Sequence, residues 1–182
     1  MFRVSMFRAG SSVRSMAFAR SIVTVGSPIP TTELFDGSPG NTVNLAEDIG
    51  SGKSVIVGVP GAFSPGCTAT HIPGYLEHLK QFNDKGYNKV YVVTVNDAFV
   101  TKAWSDSMLQ TVGGGHVKFL ADPAGRFTND LDLLFDAKKF FGNPRSRRYA
   151  LLVDNGKVTK TFIEPDNTSV NLSAADKVLA EA

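Results

Sequence analysis

SVIVGVPGAFSPGC (Ser54–Cys67) decides how this chain folds. SVIVGV (Ser54–Val59) is a short β-branched run closed off by Gly52 and Pro60, the pattern of a strand buried on both faces. Pro60–Gly66 reads as a loop, and the spacing of Leu76, Leu79 and Phe82 carries a helix to about Asp84. At the joint, Ser64 suits the N-cap and Pro65 the first helical position. Cys67 is then expected in the first turn, beside unpaired backbone N–H groups at the positive end of the helix dipole. Such groups favour a thiolate and predict a cysteine more acidic than the usual value of about 8.5. A lone cysteine is also commonly an inert space-filler. The small, polar neighbours of Cys67 and its place in a loop-to-helix joint argue for the reactive alternative.

Outward from this joint, strands and helices alternate. VYVVTV (Val90–Val95) and HVKFLAD (His116–Asp122) read as further strands, with a shorter one near Thr42–Leu45. Ala98–Gln110 and a stretch near Gly125–Leu134 read as helices, and Gly113–Gly115 as a turn. RYALLVD (Arg148–Asp154) and VTKTFIE (Val158–Glu164) flank Asn155-Gly156, a strong hairpin signal. Ser173, with Asp176 three residues on, is expected to cap a last helix. The order predicts an α/β domain with a central mixed β-sheet and helices on both faces. A cysteine just after the second predicted strand gives that order a likeness to the thioredoxin fold. Pro73 should kink the helix that Cys67 begins.

The 182 residues are 42% hydrophobic and 20% charged, as in an ordinary globular domain. One cysteine excludes an internal disulfide and a multi-cysteine metal site, and three scattered histidines, 71, 78 and 116, give little support for a metal cluster. No apolar run approaches the roughly 18 residues that a membrane-spanning helix needs. The net charge of +2 comes from the front: residues 1–26 hold Arg3, Arg8, Arg14 and Arg20 and no acid, leaving 15 basic and 17 acidic residues elsewhere. The body therefore carries no basic footprint for nucleic acid. Residues 1–25 are rich in arginine, serine and small apolar residues, which suits a cleaved mitochondrial transit peptide. The expected layout is that leader followed by one domain over residues 26–182, acting in the mitochondrial matrix.

VPGAFSPGCTATHIPGY (Val59–Tyr75) resembles the active-site segment of the peroxiredoxins of the peroxiredoxin-5 or type II subgroup. The family pattern of proline, three residues, threonine or serine, two residues and the peroxidatic cysteine falls on Pro60, Ser64 and Cys67. The resemblance continues through VTVNDAFVTKAW (Val93–Trp104), LADPAGRF (Leu120–Phe127), RRYALLVDNGKV (Arg147–Val158) and IEPD (Ile163–Asp166). It implies a thioredoxin-like fold and a thiol-dependent peroxidase that needs no cofactor or metal. It also implies a homodimer with its contact near the active-site loops. Cys67 would attack peroxide and become a sulfenic acid. Ser64, where most relatives have threonine, would hydrogen-bond the sulfur or the peroxide. Pro60 would shield the site, Arg148 would face the sulfur, and His71, one helical turn on, would support it. Arg145 and Arg147 are the competing arginines. The positions where relatives carry a resolving cysteine read Val92 and Leu172 here. A one-cysteine mechanism follows, with an external reductant such as glutathione with glutaredoxin, or thioredoxin.

Two other functions compete at this level. A redox sensor would oxidise Cys67 and pass the change to a partner without turnover. A disulfide exchanger is disfavoured, because that chemistry wants C-x-x-C and residue 64 is serine.

Overall fold

The computed structural model describes residues 22–110 and 116–182. The turn expected at Gly113–Gly115 and most of the expected leader lie outside the described residues. Val23 is already part of the body, buried, with its N–H donating to the Leu131 carbonyl at 3.0 Å.

In chain order, β1 (Glu33–Asp36) and β2 (Thr42–Asn44) form a hairpin that leads into α1 (Leu45–Ile49). Next come β3 (Lys53–Val59), a π-helical turn (Cys67–His71), α2 (Ile72–Glu77), α3 (Leu79–Asp84) and β4 (Tyr87–Thr94). They are followed by α4 (Ala98–Leu109), β5 (Val117–Ala121), α5 (Arg126–Asp130), β6 (Leu134–Phe135), α6 (Lys138–Phe141) and β7 (Arg145–Ser146). The chain closes with β8 (Tyr149–Asp154), β9 (Lys157–Ile163) and α7 (Ala175–Glu181). Seven strands make one sheet in the order β2-β1-β5-β4-β3-β8-β9, and β6 and β7 pair separately. β3, β4 and β5 run parallel, while β8 pairs antiparallel with β3 and β9 antiparallel with β8, so the sheet is mixed. This is the thioredoxin-like architecture that the sequence predicted.

Strand periodicity divides the interior into two cores. Val55, Val57 and Val59 of β3, Val90 and Val92 of β4 and Ala150 and Leu152 of β8 share one face with Cys67. Tyr75 and Leu76 of α2, Trp104 of α4 and Val178 of α7 cover that face. Ile56, Tyr91, Val93, Leu151 and Val153 point to the other face, under Leu45 and Ile49 of α1 and Phe127 of α5. Burial on both sides is why the central strands read as unbroken apolar runs in the sequence. The β8–β9 turn has positive φ at both Asn155 (49°) and Gly156 (71°), as a tight primed turn requires.

Several elements differ from expectation. β1, α1, β6, α6 and β7, at two to five residues each, are too short to show a period. Ser173 does not cap α7; the N-cap is Ala174, and the Ser173 hydroxyl donates instead to the buried Glu164 carboxylate at 2.8 Å. The helix after Cys67 is not continuous to Asp84 but breaks at His78 between α2 and α3. The helical stretch expected near Gly125–Leu134 is present as the short α5, whose Phe127 and Thr128 amides donate to buried Asp122.

Gly58 is fixed by a close approach. It pairs across the sheet with Tyr149, and a Cβ there would fall 2.0 Å from Tyr149 Cε1. Gly58→Ala should therefore destabilise the fold by about 1–3 kcal/mol or more, the usual cost of overpacking, as read from urea denaturation midpoints.

Candidate active site

The helical stretch opens at Pro65, directly after the loop that leaves β3. Ser64 occupies the N-cap position, and its carbonyl accepts the Thr68 N–H at 2.9 Å. The Ser64 hydroxyl does not cap that turn. It lies 2.9 Å from the Gly61 carbonyl and 2.9 Å from Cys67 Sγ. One hydroxyl has one proton. Toward a thiolate it donates to sulfur; beside a thiol it accepts the S–H and turns its own proton to Gly61.

The ladder then widens. The Ile72 N–H bonds back five residues to the Cys67 carbonyl, which defines the π-helical turn. Pro73 supplies the physical reason, since it has no N–H and its ring crowds the carbonyl four residues earlier. The expected kink is thus a local loosening of the turn that holds the sulfur.

Cys67 is fully buried, on the same face as Val55, Val57 and Val59. Arg148 Nη1 approaches its sulfur at 3.4 Å, across 81 residues of sequence. Among the described residues, the hydrogen bonds to sulfur come from Ser64 and Arg148, not from the first-turn amides that the sequence pointed to. Arg148 sits immediately before β8 and is itself buried. Its Nε donates to the Thr168 carbonyl at 2.8 Å, and Nη1 also lies 3.1 Å from His71 Nδ1. A Cβ on Gly66 would meet Arg148 Nη2 at 3.1 Å, so the glycine before the cysteine lets the guanidinium come close.

His71 is held at both ring nitrogens. Its Nε2 lies 3.0 Å from the Ser173 carbonyl, a position that only an N–H can fill. Nδ1 is then the acceptor for Arg148. Burial first, and the Arg148 charge second, push the His71 pKa down to about 3, so the ring is a neutral acceptor at every physiological pH. Tyr75 donates to the same Ser173 carbonyl at 2.6 Å. Burial, followed by the Glu164 and Asp176 charges, raises the Tyr75 pKa and keeps it a donor.

Cys67, Ser64, Arg148 and His71 therefore converge, as sequence reasoning placed them. Pro60 is buried at the end of β3. The competing arginines go elsewhere: Arg145 donates to the Val95 carbonyl at 2.7 Å, and Arg147 to the Glu164 carbonyl at 2.9 Å. Of the positions lacking a resolving cysteine, Val92 lies in the core and Leu172 is exposed. Sequence reasoning missed Tyr75, Thr168 and Ser173 as supports. No spacing rule reaches from residue 71 to residue 173; the one available signal was the IEPD segment, which leads into that stretch.

The family model described as Redoxin matches residues 24–179. Peroxisomal membrane associated protein 20 of Schizosaccharomyces pombe is 48% identical over 159 residues, covering 87% of this chain and 99% of that protein. Peroxiredoxin-2C of Oryza sativa subsp. japonica is 40% identical over 160 residues, covering 86% and 96%. The crystal structure of peroxiredoxin 5 from Alvinella pompejana is 33% identical with a TM-score of 0.75, covering 87% of this chain and 98% of that one. The chain belongs to the Redoxin family and, within it, to the peroxiredoxin-5-like peroxiredoxins in a one-cysteine form. It is a thiol-dependent peroxidase, an oxidoreductase.

The mitochondrial location is corrected by the same comparisons. The relative at 48% identity over nearly its whole length is named as peroxisomal, which points away from the mitochondrial matrix. A basic, acid-free composition is a bulk charge property shared by many segments, whereas an address is read by a receptor from particular residues.

The His71 environment sets a pH dependence. The unfolded chain protonates this ring near 6.5, and the folded state resists down to about 3. The neutral ring's contribution is fully present above pH 6.5 and is lost as pH falls toward 3, by at most about 1.4 kcal/mol per unit. Urea denaturation between pH 5 and 7 should show stability falling with acid, and His71→Gln should flatten that slope.

Proposed function

We propose that Cys67 is the peroxidatic nucleophile and that Arg148 and Ser64 act on the reacting atoms. The observation that carries this is the sulfur held between a hydroxyl at 2.9 Å and a guanidinium at 3.4 Å. Arg148 is a buried cation, and its other acceptors, the Thr168 carbonyl and His71 Nδ1, are neutral. Sulfur is the acceptor there that can become an anion, so pairing favours the thiolate. The thiolate attacks one peroxide oxygen, the O–O bond breaks, and sulfur is oxidised to a sulfenic acid. The departing oxygen leaves as water or an alcohol after taking a proton. Arg148 Nη2 carries two N–H groups beside Gly66, suited to the charge that develops on the peroxide. Pro60 closes the strand end against water, and His71 fixes the guanidinium.

With one cysteine in the chain, the reductant is an external thiol. Two thiols return the sulfenic acid to thiol, releasing water and a disulfide. Glutathione with glutaredoxin, or thioredoxin, fits this role. The substrates are hydrogen peroxide and organic hydroperoxides, and the S. pombe relative's name supports work at the peroxisome. A homodimer is supported by Phe63, Phe99 and Phe140, exposed by 52%, 68% and 80%. The segments that carry them adjoin: the Ala62 N–H donates to Oδ1 of Asn96, just before α4, at 3.0 Å, and Gly61 lies against the ring of Phe141 in α6. Exposed aromatic rings on adjoining segments suit an interface.

Peroxide consumption by the full chain with each reductant tests the scheme. Cys67→Ser should abolish it, and Arg148→Ala should slow the peroxide step by about 10²–10³-fold, the size of losing one preorganised donor. A single stoichiometric burst with every thiol would instead favour the sensor. Phe99→Asp should lower the dimer mass in sedimentation; an unchanged mass would move the interface elsewhere.

A further inference from the structure

Residues 164–173 wrap around the two side chains that serve the sulfur. The Arg148 N–H donates to the Asn167 carbonyl at 2.8 Å, its Nε donates to the Thr168 carbonyl, and its own carbonyl accepts the Glu164 N–H at 3.0 Å. The far end of the segment offers the Ser173 carbonyl to His71 and Tyr75. A ten-residue run with no helix or strand of its own is an unusual platform for groups that must be placed within about 0.5 Å. Asn167 even takes a left-handed φ of 73° within it.

Glu164 is what makes the run rigid. It is completely buried, and its Oε1 accepts three bonds: from the Asn171 N–H at 2.7 Å and from the Ser173 N–H and hydroxyl at 2.8 Å each. Its Oε2 is buried with no hydrogen-bond partner. A buried carboxyl with one orphaned oxygen is costly. An apolar residue would avoid that cost but would leave the amides of residues 171 and 173 without an acceptor and free the Ser173 carbonyl to turn. Asp166, by contrast, ties the Thr168 and Ser169 amides at the exposed surface.

We propose that Glu164 is a positioning residue for the peroxide reaction. It acts through a fixed sequence of contacts: Glu164 to Ser173, the Ser173 carbonyl to His71 Nε2–H, and His71 Nδ1 to Arg148 Nη1, which bonds the sulfur. The Ser173 carbonyl selects the Nε2–H tautomer, and that tautomer leaves Nδ1 bare to orient the guanidinium. Without it, Nη1 has no partner that holds its second N–H off the sulfur's line. The role rests on the peroxidase assignment of Arg148 and Cys67, but its structural half is measurable alone.

The experiment uses the full chain and two readouts, the rate of Cys67 oxidation by hydrogen peroxide and the ¹⁵N signature of the His71 ring, assigned with His71→Gln. The wild type should show one Nε2–H tautomer that does not titrate between pH 5 and 8. Glu164→Ala should lower the oxidation rate about 10- to 100-fold, as sub-ångström misplacement does, and should give mixed tautomers or a titrating ring. Glu164→Gln, which keeps an acceptor oxygen, should recover most of both. If Glu164→Ala does not fold, Glu164→Asp keeps the charge but withdraws the carboxyl by one methylene and should show the same two changes at smaller size. A folded Ala or Asp variant with wild-type rate and ring signature overturns the proposal. So does a lost rate with an unchanged ring, since the effect would not pass through His71. Wild-type protein that leaves peroxide untouched would refute the peroxidase assignment, and the ring signature would still decide the role of Glu164.

Discussion

A single nitrogen, Arg148 Nη1, divides its two protons between Cys67 Sγ at 3.4 Å and His71 Nδ1 at 3.1 Å. The rest of the molecule can be understood as what is needed to keep it there. A buried guanidinium must be paired or hydrogen-bonded. This one has no carboxylate salt bridge among the described residues, so its charge is answered by one carbonyl, a neutral imidazole and a sulfur. Had an aspartate occupied the place of His71, the cation would be satisfied without the thiolate and the site would lose its drive to ionise the sulfur. The low basicity of His71 is therefore part of the chemistry: a ring that took a proton would turn from acceptor to competitor.

The sheet supplies the geometry. β3 ends in the loop that delivers Ser64 and Cys67, and β8 begins next to Arg148. Because the two strands are antiparallel neighbours, with Gly58 opposite Tyr149, the end of one and the start of the other lie together. A one-residue slip in that pairing would send Arg148 to the opposite face, away from the sulfur. The close approach of Gly58 and Tyr149 guards against such a slip.

Much of this was legible in the sequence for reasons that are physical. The apolar runs of β3, β4 and β8 are buried on both faces and leave no ambiguity, Asn155-Gly156 can scarcely be anything but a tight turn, and Ser64-Pro65-Gly66-Cys67 announces a helix start. β1 was hidden because only Leu34 among its four residues is fully buried and its neighbours are polar or half-exposed. Ser173 looked like a cap because serine three residues before an acid usually is one; a buried carboxylate is a stronger acceptor and claimed the hydroxyl. The carbonyl that holds His71 was invisible because it belongs to the backbone of Ser173, about a hundred residues away, and a carbonyl has no letter in the sequence. The cellular address failed for a different reason, since bulk charge cannot tell one import receptor from another.

The hairpin tip at Asn155-Gly156 lies at the other end of β8 from Arg148, with six residues of paired strand between them. The tip is tied down, since the Asn155 N–H donates to the Gly52 carbonyl and the Ile29 N–H to the Gly156 carbonyl, at 3.0 Å each. Length added there strains those two ties at the far end of the sheet, whereas one residue added between Val59 and Ser64 re-aims the sulfur itself. The molecule thus has one pole where an insertion costs stability and another where it costs chemistry.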